Sequence, residues 1–139
     1  MLIQIFFTGI IITGSGGHVG DRSSSVEVLN ADGTPLCSLP DLPYLTWGHT
    51  QHGLTTCGGA HGILRRRCYT FDAYSGTWNI SHNLIEDRTY HTQWWDSAAQ
   101  QLWLLGGSAR SIGVKSSEVL KGLSSDSSPM DFELKYTTR

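Results

Sequence analysis

Three apolar runs in this chain end in a glycine pair, and their spacing constrains the fold more than any other feature. Ile10-Ile11-Ile12-Thr13-Gly14-Ser15-Gly16-Gly17, Leu54-Thr55-Thr56-Cys57-Gly58-Gly59 and Leu102-Trp103-Leu104-Leu105-Gly106-Gly107 place their second glycines 42 and then 48 residues apart. After each pair, a polar loop leads into a second short strand pattern that begins nine or ten residues later: Val26-Glu27-Val28-Leu29, Cys68-Tyr69-Thr70-Phe71 and Ser117-Glu118-Val119-Leu120. Gly48-His49-Thr50 and Tyr90-His91-Thr92 precede the second and third pairs, again 42 residues apart. Turn residues and a further extended stretch close each unit, at Gly33-Thr34-Pro35-Leu36, Ser75-Gly76-Thr77-Trp78 and Phe132-Glu133-Leu134-Lys135-Tyr136. Each unit thus reads as four short strands separated by turns. A four-stranded meander repeated at roughly 40 to 50 residues is the pattern of a propeller blade, whose faces are covered by its neighbours.

Composition supports the all-β reading. The 139 residues include 16 Gly, 5 Trp, 5 Tyr and 4 Phe, and only 16% are charged, against about 25% in an average globular domain. Glycine supplies the positive φ of tight turns, and aromatic side chains suit a pleated surface. Such a chain is neither a disordered polyelectrolyte nor a charged helix bundle. With 10 Lys and Arg against 12 Asp and Glu, no bulk positive charge exists to draw it to nucleic acid. The apolar stretch from Met1 to Ile12 is too short for a membrane span, and no basic residue precedes Arg22. It is read as a strand in preference to a signal peptide.

The physics of a blade accounts for individual residues. The run Leu102 to Leu105 suits a strand buried on both faces, where alternation is lost. The diglycine lets the backbone turn where a Cβ would clash. Tyr69 and Trp78 suit wedges between adjacent sheets, each keeping a polar tip for a partner. At this point the chain resembles the Kelch-repeat family, including its galactose-oxidase-like extracellular propellers. The resemblance rests on Gly58-Gly59, Gly106-Gly107, the Tyr69…Trp78 spacing and Arg88…His91, and it covers residues 10 to 136. The first unit, with Gly16-Gly17, lacks the Tyr…Trp pair, and the third lacks both aromatics. The expected fold is an incomplete Kelch-type β-propeller of four-stranded antiparallel blades, approximately 1–43, 44–85 and 86–139, the first and last incomplete. Gly48-His49 and Trp95-Asp96 imitate the marks of a WD-type propeller. They lie 47 residues apart, however, and belong to different units.

A propeller has four to eight blades, so a Kelch ring implies roughly 300 residues. An open arc leaves two flanks uncovered. With roughly 400 Å² of apolar surface wet on each, about 10 kcal/mol of burial is forgone per flank as an upper bound. The chain is therefore expected to be a fragment or truncated product, to self-associate so that two arcs complete a ring, or to close in an unusual way. The fragment is preferred, because Met1 falls inside strand-like sequence and Arg139 ends without a cap.

Chemical motifs are sparse. His18, His49, His52, His61, His82 and His91 show no metal-ligand spacing. His49 and His91 occupy equivalent repeat positions, as packing predicts, so no metal or cofactor is expected. The galactose-oxidase resemblance implies copper held by tyrosine and histidine, but no ligand of that set carries over to a numbered residue here. No Gly-x-Ser-x-Gly elbow or phosphate loop occurs, and Gly14-x-Gly16 followed by Val19 is not a dinucleotide site. Catalytic residues are not expected.

Cys57 and Cys68 fall at facing ends of the second and third strands of one unit, where a disulfide and two buried thiols are both open. The disulfide is preferred if the protein is exported, and Cys37 is left over. Asn79-Ile80-Ser81 fits the N-glycosylation sequon, and an extracellular location is expected. Arg65-Arg66-Arg67 is either a solvated hairpin loop or, with Arg110 and Lys115 in the neighbouring unit's equivalent loop, a basic rim facing an acidic peptide or sulfated glycan. The reading overall is a non-enzymatic interaction module binding a protein or glycan through its loops. The alternatives are a fragment of a galactose-oxidase-like copper enzyme lacking its catalytic blades and a truncated product without independent activity.

Overall fold

The computed structural model describes residues 10–13, 24–45, 48–59, 66–110 and 112–121. Gly16, Gly17, His18, His61, Arg65 and the stretch Phe132 to Tyr136 lie outside the described residues. All twelve elements are strands: β1 (Ile10–Thr13), β2 (Val26–Leu29), β3 (Pro35–Leu39), β4 (Thr50–His52), β5 (Thr55–Cys57), β6 (Arg67–Asp72), β7 (Thr77–Asn83), β8 (Thr92–Asp96), β9 (Gln101–Leu105), β10 (Ser108–Ala109), β11 (Ile112–Gly113) and β12 (Ser117–Leu120).

They form three successive antiparallel sheets. The first is β1-β2-β3, the second is β4-β5-β6-β7, and the third is β8-β9-β12, with β10-β11 a small hairpin between β9 and β12. Among the described residues these sheets do not close into a barrel or ring. Acidic residues open the hairpins. The Asp72 carboxylate accepts from the Tyr74 N–H and the Ser75 hydroxyl between β6 and β7, and the Asp96 carboxylate accepts from the Ala98 and Ala99 N–H groups between β8 and β9. Short side-chain acceptors of this kind fix the turn and hence the register.

Register explains which residues share a face. In the second sheet Cys57 lies opposite Cys68, and Thr55 opposite Thr70. The flanking backbone bonds from Gly58 N–H to Arg67 O and from Phe71 N–H to Leu54 O leave those two pairs at the closer, non-hydrogen-bonded positions of the ladder. Cys57 and Cys68 form a disulfide there, with Cα atoms 4.1 Å apart, and the hydroxyls of Thr55 and Thr70 lie 2.9 Å apart. Cys37 is the free cysteine.

One core cluster lies between the second and third sheets, and Val26, Val28, Leu42, Tyr44, Tyr69 and Phe71 are also buried in the first two sheets and the segment between them. The disulfide and Leu84 pack on Leu102, Leu104 and Leu120, with Trp95 alongside. Strand β9 corrects one expectation. Leu102 and Leu104 are buried, but Trp103 is half-buried and Leu105 exposed. Burial alternates because only one face of this sheet is covered.

Glycine has a specific role at the strand ends. Gly58 and Gly59 have φ of 66° and 97°, and Gly106 and Gly107 have 62° and 96°, so the two pairs repeat one another's conformation. A Cβ on Gly58 would lie 2.4 Å from the Arg88 carbonyl, and one on Gly107 would lie 2.7 Å from that of Thr89. The segment entering the third sheet is therefore clasped between both glycine pairs.

Candidate functional site

Residues 84–91 link the second sheet to the third, and a buried ion pair anchors them. Arg88 is fully buried. Its Nε donates to Glu118 Oε1 at 2.9 Å, Nη1 donates to the carbonyls of Gly106 and Ser116, and Nη2 donates to Ser116 Oγ. Glu118 in turn accepts from the N–H groups of Ile85 and Glu86. A buried charge is tolerated where its hydrogen-bonding capacity is met in this way. Arg88 thus fixes the backbone on which Glu86 and Asp87 stand.

Asp87, beside this anchor, gathers two arginines from different sheets. Arg66 Nε lies 2.6 Å from Asp87 Oδ1, and Arg110 Nε lies 3.6 Å from Oδ2. Arg66 immediately precedes β6, while Arg110 occupies the β10–β11 turn with φ of 49°. Both arginine side chains remain exposed, Arg110 more so than Arg66. The structure therefore brings together Arg66 and Arg110. Arg67 begins β6 and is half-buried, and Lys115 is exposed on the segment leading into β12. Sequence reasoning treated Arg88 as a repeat mark and overlooked Asp87. The charged triplet Glu86-Asp87-Arg88 was the available signal.

The histidines are spread along the sheet junctions. His49 Nε2 hydrogen-bonds the Thr13 hydroxyl at 2.8 Å, joining the second sheet to the first, and Thr13 also donates to Gln51. His91 Nε2 hydrogen-bonds the Thr50 hydroxyl at 2.6 Å, joining the third to the second. His52 stacks on Trp95 with ring centroids 5.1 Å apart. Burial lowers the His49 and His52 pKa values. His91 is brought down to about 4, first by burial, then by Arg88 and His49, against an opposing effect of Glu118. Among the described residues no group of three or more His, Cys, Asp or Glu side chains is arranged to hold a metal ion.

Trp78 and Tyr69 face the first sheet. Trp78 Nε1 donates to the Pro40 carbonyl at 2.8 Å and its ring meets Phe71, while Tyr69 lies 4.9 Å from Tyr44. Burial pushes the Tyr44 phenol up to about 12, with the Thr56 hydroxyl opposing. On the opposite flank, His82 hydrogen-bonds the Lys121 carbonyl in the third sheet. Asn79 and Ser81 of the sequon are exposed on β7. No helix among the described residues is long and apolar enough to cross a membrane. The chain matches no protein-family model and no curated protein.

Proposed function

We propose that this chain is a non-enzymatic interaction module of Kelch-type propeller repeats, which binds an anionic partner, an acidic peptide or a sulfated glycan, through the loops of its second and third sheets that carry Arg66 and Arg110. The observation that carries the binding surface is the convergence of Arg66 and Arg110, both exposed side chains, on Asp87. Arginine suits carboxylates and sulfates because its planar fork presents paired donors. The Arg88–Glu118 anchor holds Asp87 on rigid backbone, so the two cations stay close without the partner having to gather them. The repeat assignment draws its support from the matching dihedral angles of the two glycine pairs and from His49 and His91 each hydrogen-bonding a threonine of the preceding sheet.

Calorimetric titration with a heparin-type oligosaccharide and, separately, a poly-glutamate peptide tests this reading. Binding to either is expected, weakening with added salt and weakening further in the Arg66→Ala/Arg110→Ala double variant. Asp87→Asn is expected to bind more tightly, because it removes the competing carboxylate while retaining the side-chain shape. No binding of either anion, or binding unchanged in the double variant, contradicts the proposal.

A further inference from the structure

The third sheet carries an open face equivalent to a face that is buried in the second. The pairings Trp94 with Trp103 and Trp103 with Val119 align those three side chains in one row across β8, β9 and β12. Thr92, Leu105 and Ser117 form the neighbouring row. Trp94 is 54% exposed and Leu105 is 41% exposed, and the two tryptophan rings lie 6.4 Å apart.

Register relates this face to the second sheet. Superposing the glycine pairs and the cross-strand partners puts Trp94 at the position of His52, Trp103 at Thr55, Leu105 at Cys57, Ser117 at Cys68 and Val119 at Thr70. In the second sheet those positions lie against the third: Thr55, Cys57 and Cys68 are fully buried, and His52 stacks on Trp95. In the third sheet the places of His52, Thr55, Cys57 and Thr70 hold Trp94, Trp103, Leu105 and Val119, of which Trp94 and Leu105 are exposed and the other two half-buried, while the place of Cys68 holds the exposed Ser117. A contiguous apolar row of this kind marks an interaction surface.

The residues that cover the second sheet are Trp95, Leu102, Leu104 and Leu120 of the third. Leu120 and Glu118 share a face. In the first sheet the corresponding face carries Leu29 and Glu27, the residues aligned with them by repeat, and Glu27 is exposed. Among the described residues the outer face of the third sheet exposes Trp94 and Leu105, and that of the first exposes Glu27 with Leu29 half-buried; the two correspond to the two sides of the internal junction. We infer that the Trp94-Trp103-Val119 face receives the first sheet of a second copy of this chain, in a head-to-tail contact that continues the internal sheet-to-sheet junction. Such a contact is heterologous, and it forms a ring where the rotation closes. Two copies supply six sheets, within the four to eight of a propeller.

Sedimentation of the full chain over a range of concentrations tests this inference. The expected result is a concentration-dependent species of twice the chain mass. Trp94→Glu, an exposed position, is expected to weaken the association by at least about 30-fold, the size seen on removing a central aromatic anchor. Leu105→Glu is expected to weaken it as well, and Tyr74→Glu, on the remote β6–β7 turn, to leave it unchanged. Acrylamide quenching of the unaltered chain is a second readout: tryptophan accessibility is expected to fall as the chain concentrates. A monomer at every concentration overturns the inference, as does an association that neither Trp94→Glu nor Leu105→Glu weakens. The anion-binding test reads a different face, so the failure of one proposal is distinguishable from failure of the other.

Discussion

His91 Nε2 and the Thr50 hydroxyl lie 2.6 Å apart, and this bond ties the entry of the third sheet to β4, the first strand of the second. His49 bonds the Thr13 hydroxyl of β1, one sheet earlier. The Nδ1 atoms of both rings are buried without a hydrogen-bond partner among the described residues, so a second ring proton has no acceptor there. Neutral histidine is the form that fits each junction.

The first prediction is a pH dependence of stability. His91 is lowered from 6.5 to about 4 in the folded chain, so between those values the unfolded chain binds more protons and stability rises with pH. The contribution is complete above about pH 6.5, falls as the solution is acidified and levels off below about 4. For His91 alone it amounts to about 3 kcal/mol at most. Asp32 and Asp72, lowered by hydrogen bonds from Thr34 and Ser75 respectively, lose their contributions below the ordinary carboxylate range, outside this window. Urea denaturation at a series of pH values measures the slope. His91→Gln is expected to flatten it, and an unchanged slope contradicts the junction role.

A second prediction separates steric crowding from backbone strain. Gly58 and Gly76 have nearly equal φ, 66° and 68°, but a Cβ on Gly58 would strike the Arg88 carbonyl while one on Gly76 would meet nothing within 4 Å. Gly76→Ala is expected to cost about 1 kcal/mol from the left-handed backbone alone. Gly58→Ala is expected to cost about 3 kcal/mol, because the entering segment must shift as well. Equal losses in thermal denaturation would refute the clasp.

The third concerns the anchor. Arg88→Met removes the cationic partner of Glu118 and all the bonds to Ser116 and Gly106, leaving a buried carboxylate without a counter-charge. A loss of about 3 to 5 kcal/mol is expected. The exposed Arg66→Met change is expected to cost under about 1 kcal/mol, although it weakens anion binding. A denaturation midpoint that moves equally for both variants contradicts the division between anchor and surface.

The fourth is chemical. With Cys57 and Cys68 joined and fully buried, alkylation of the native chain before reduction is expected to label Cys37 alone. Unfolding with reduction should expose three thiols. Replacing Cys57 and Cys68 by Ala is expected to cost about 3 kcal/mol from the short closed loop. Labelling of either residue in the unreduced chain would contradict the bond.

Much of the strand framework was legible because turn chemistry and glycine pairs are local signals. Val26 to Leu29, Cys68 to Phe71 and Ser117 to Leu120 are strands or parts of strands where the pattern placed them. The facing positions of Cys57 and Cys68 followed from the same pattern. Burial in β9 did not, because the sequence shows that Leu102 to Leu105 is apolar without showing how many faces a neighbour covers. The β10–β11 hairpin also went unseen, since two-residue strands are too short for periodicity to register. At the candidate surface Arg66 and Arg110 were legible as loop cations. Their meeting on Asp87 was not, because it depends on how the linker between two sheets folds around Arg88.

The second and third sheets stand side by side, with β4 against β8. Nuclear Overhauser contacts between the His52 imidazole and the Trp95 indole test this most directly, because those rings belong to β4 and β8 and lie 5.1 Å apart. The account predicts a cross-peak between them together with one between Trp94 and Trp103 inside the third sheet. Detection of the Trp94–Trp103 contact without any His52–Trp95 contact would show that the sheets form but do not stack in this order.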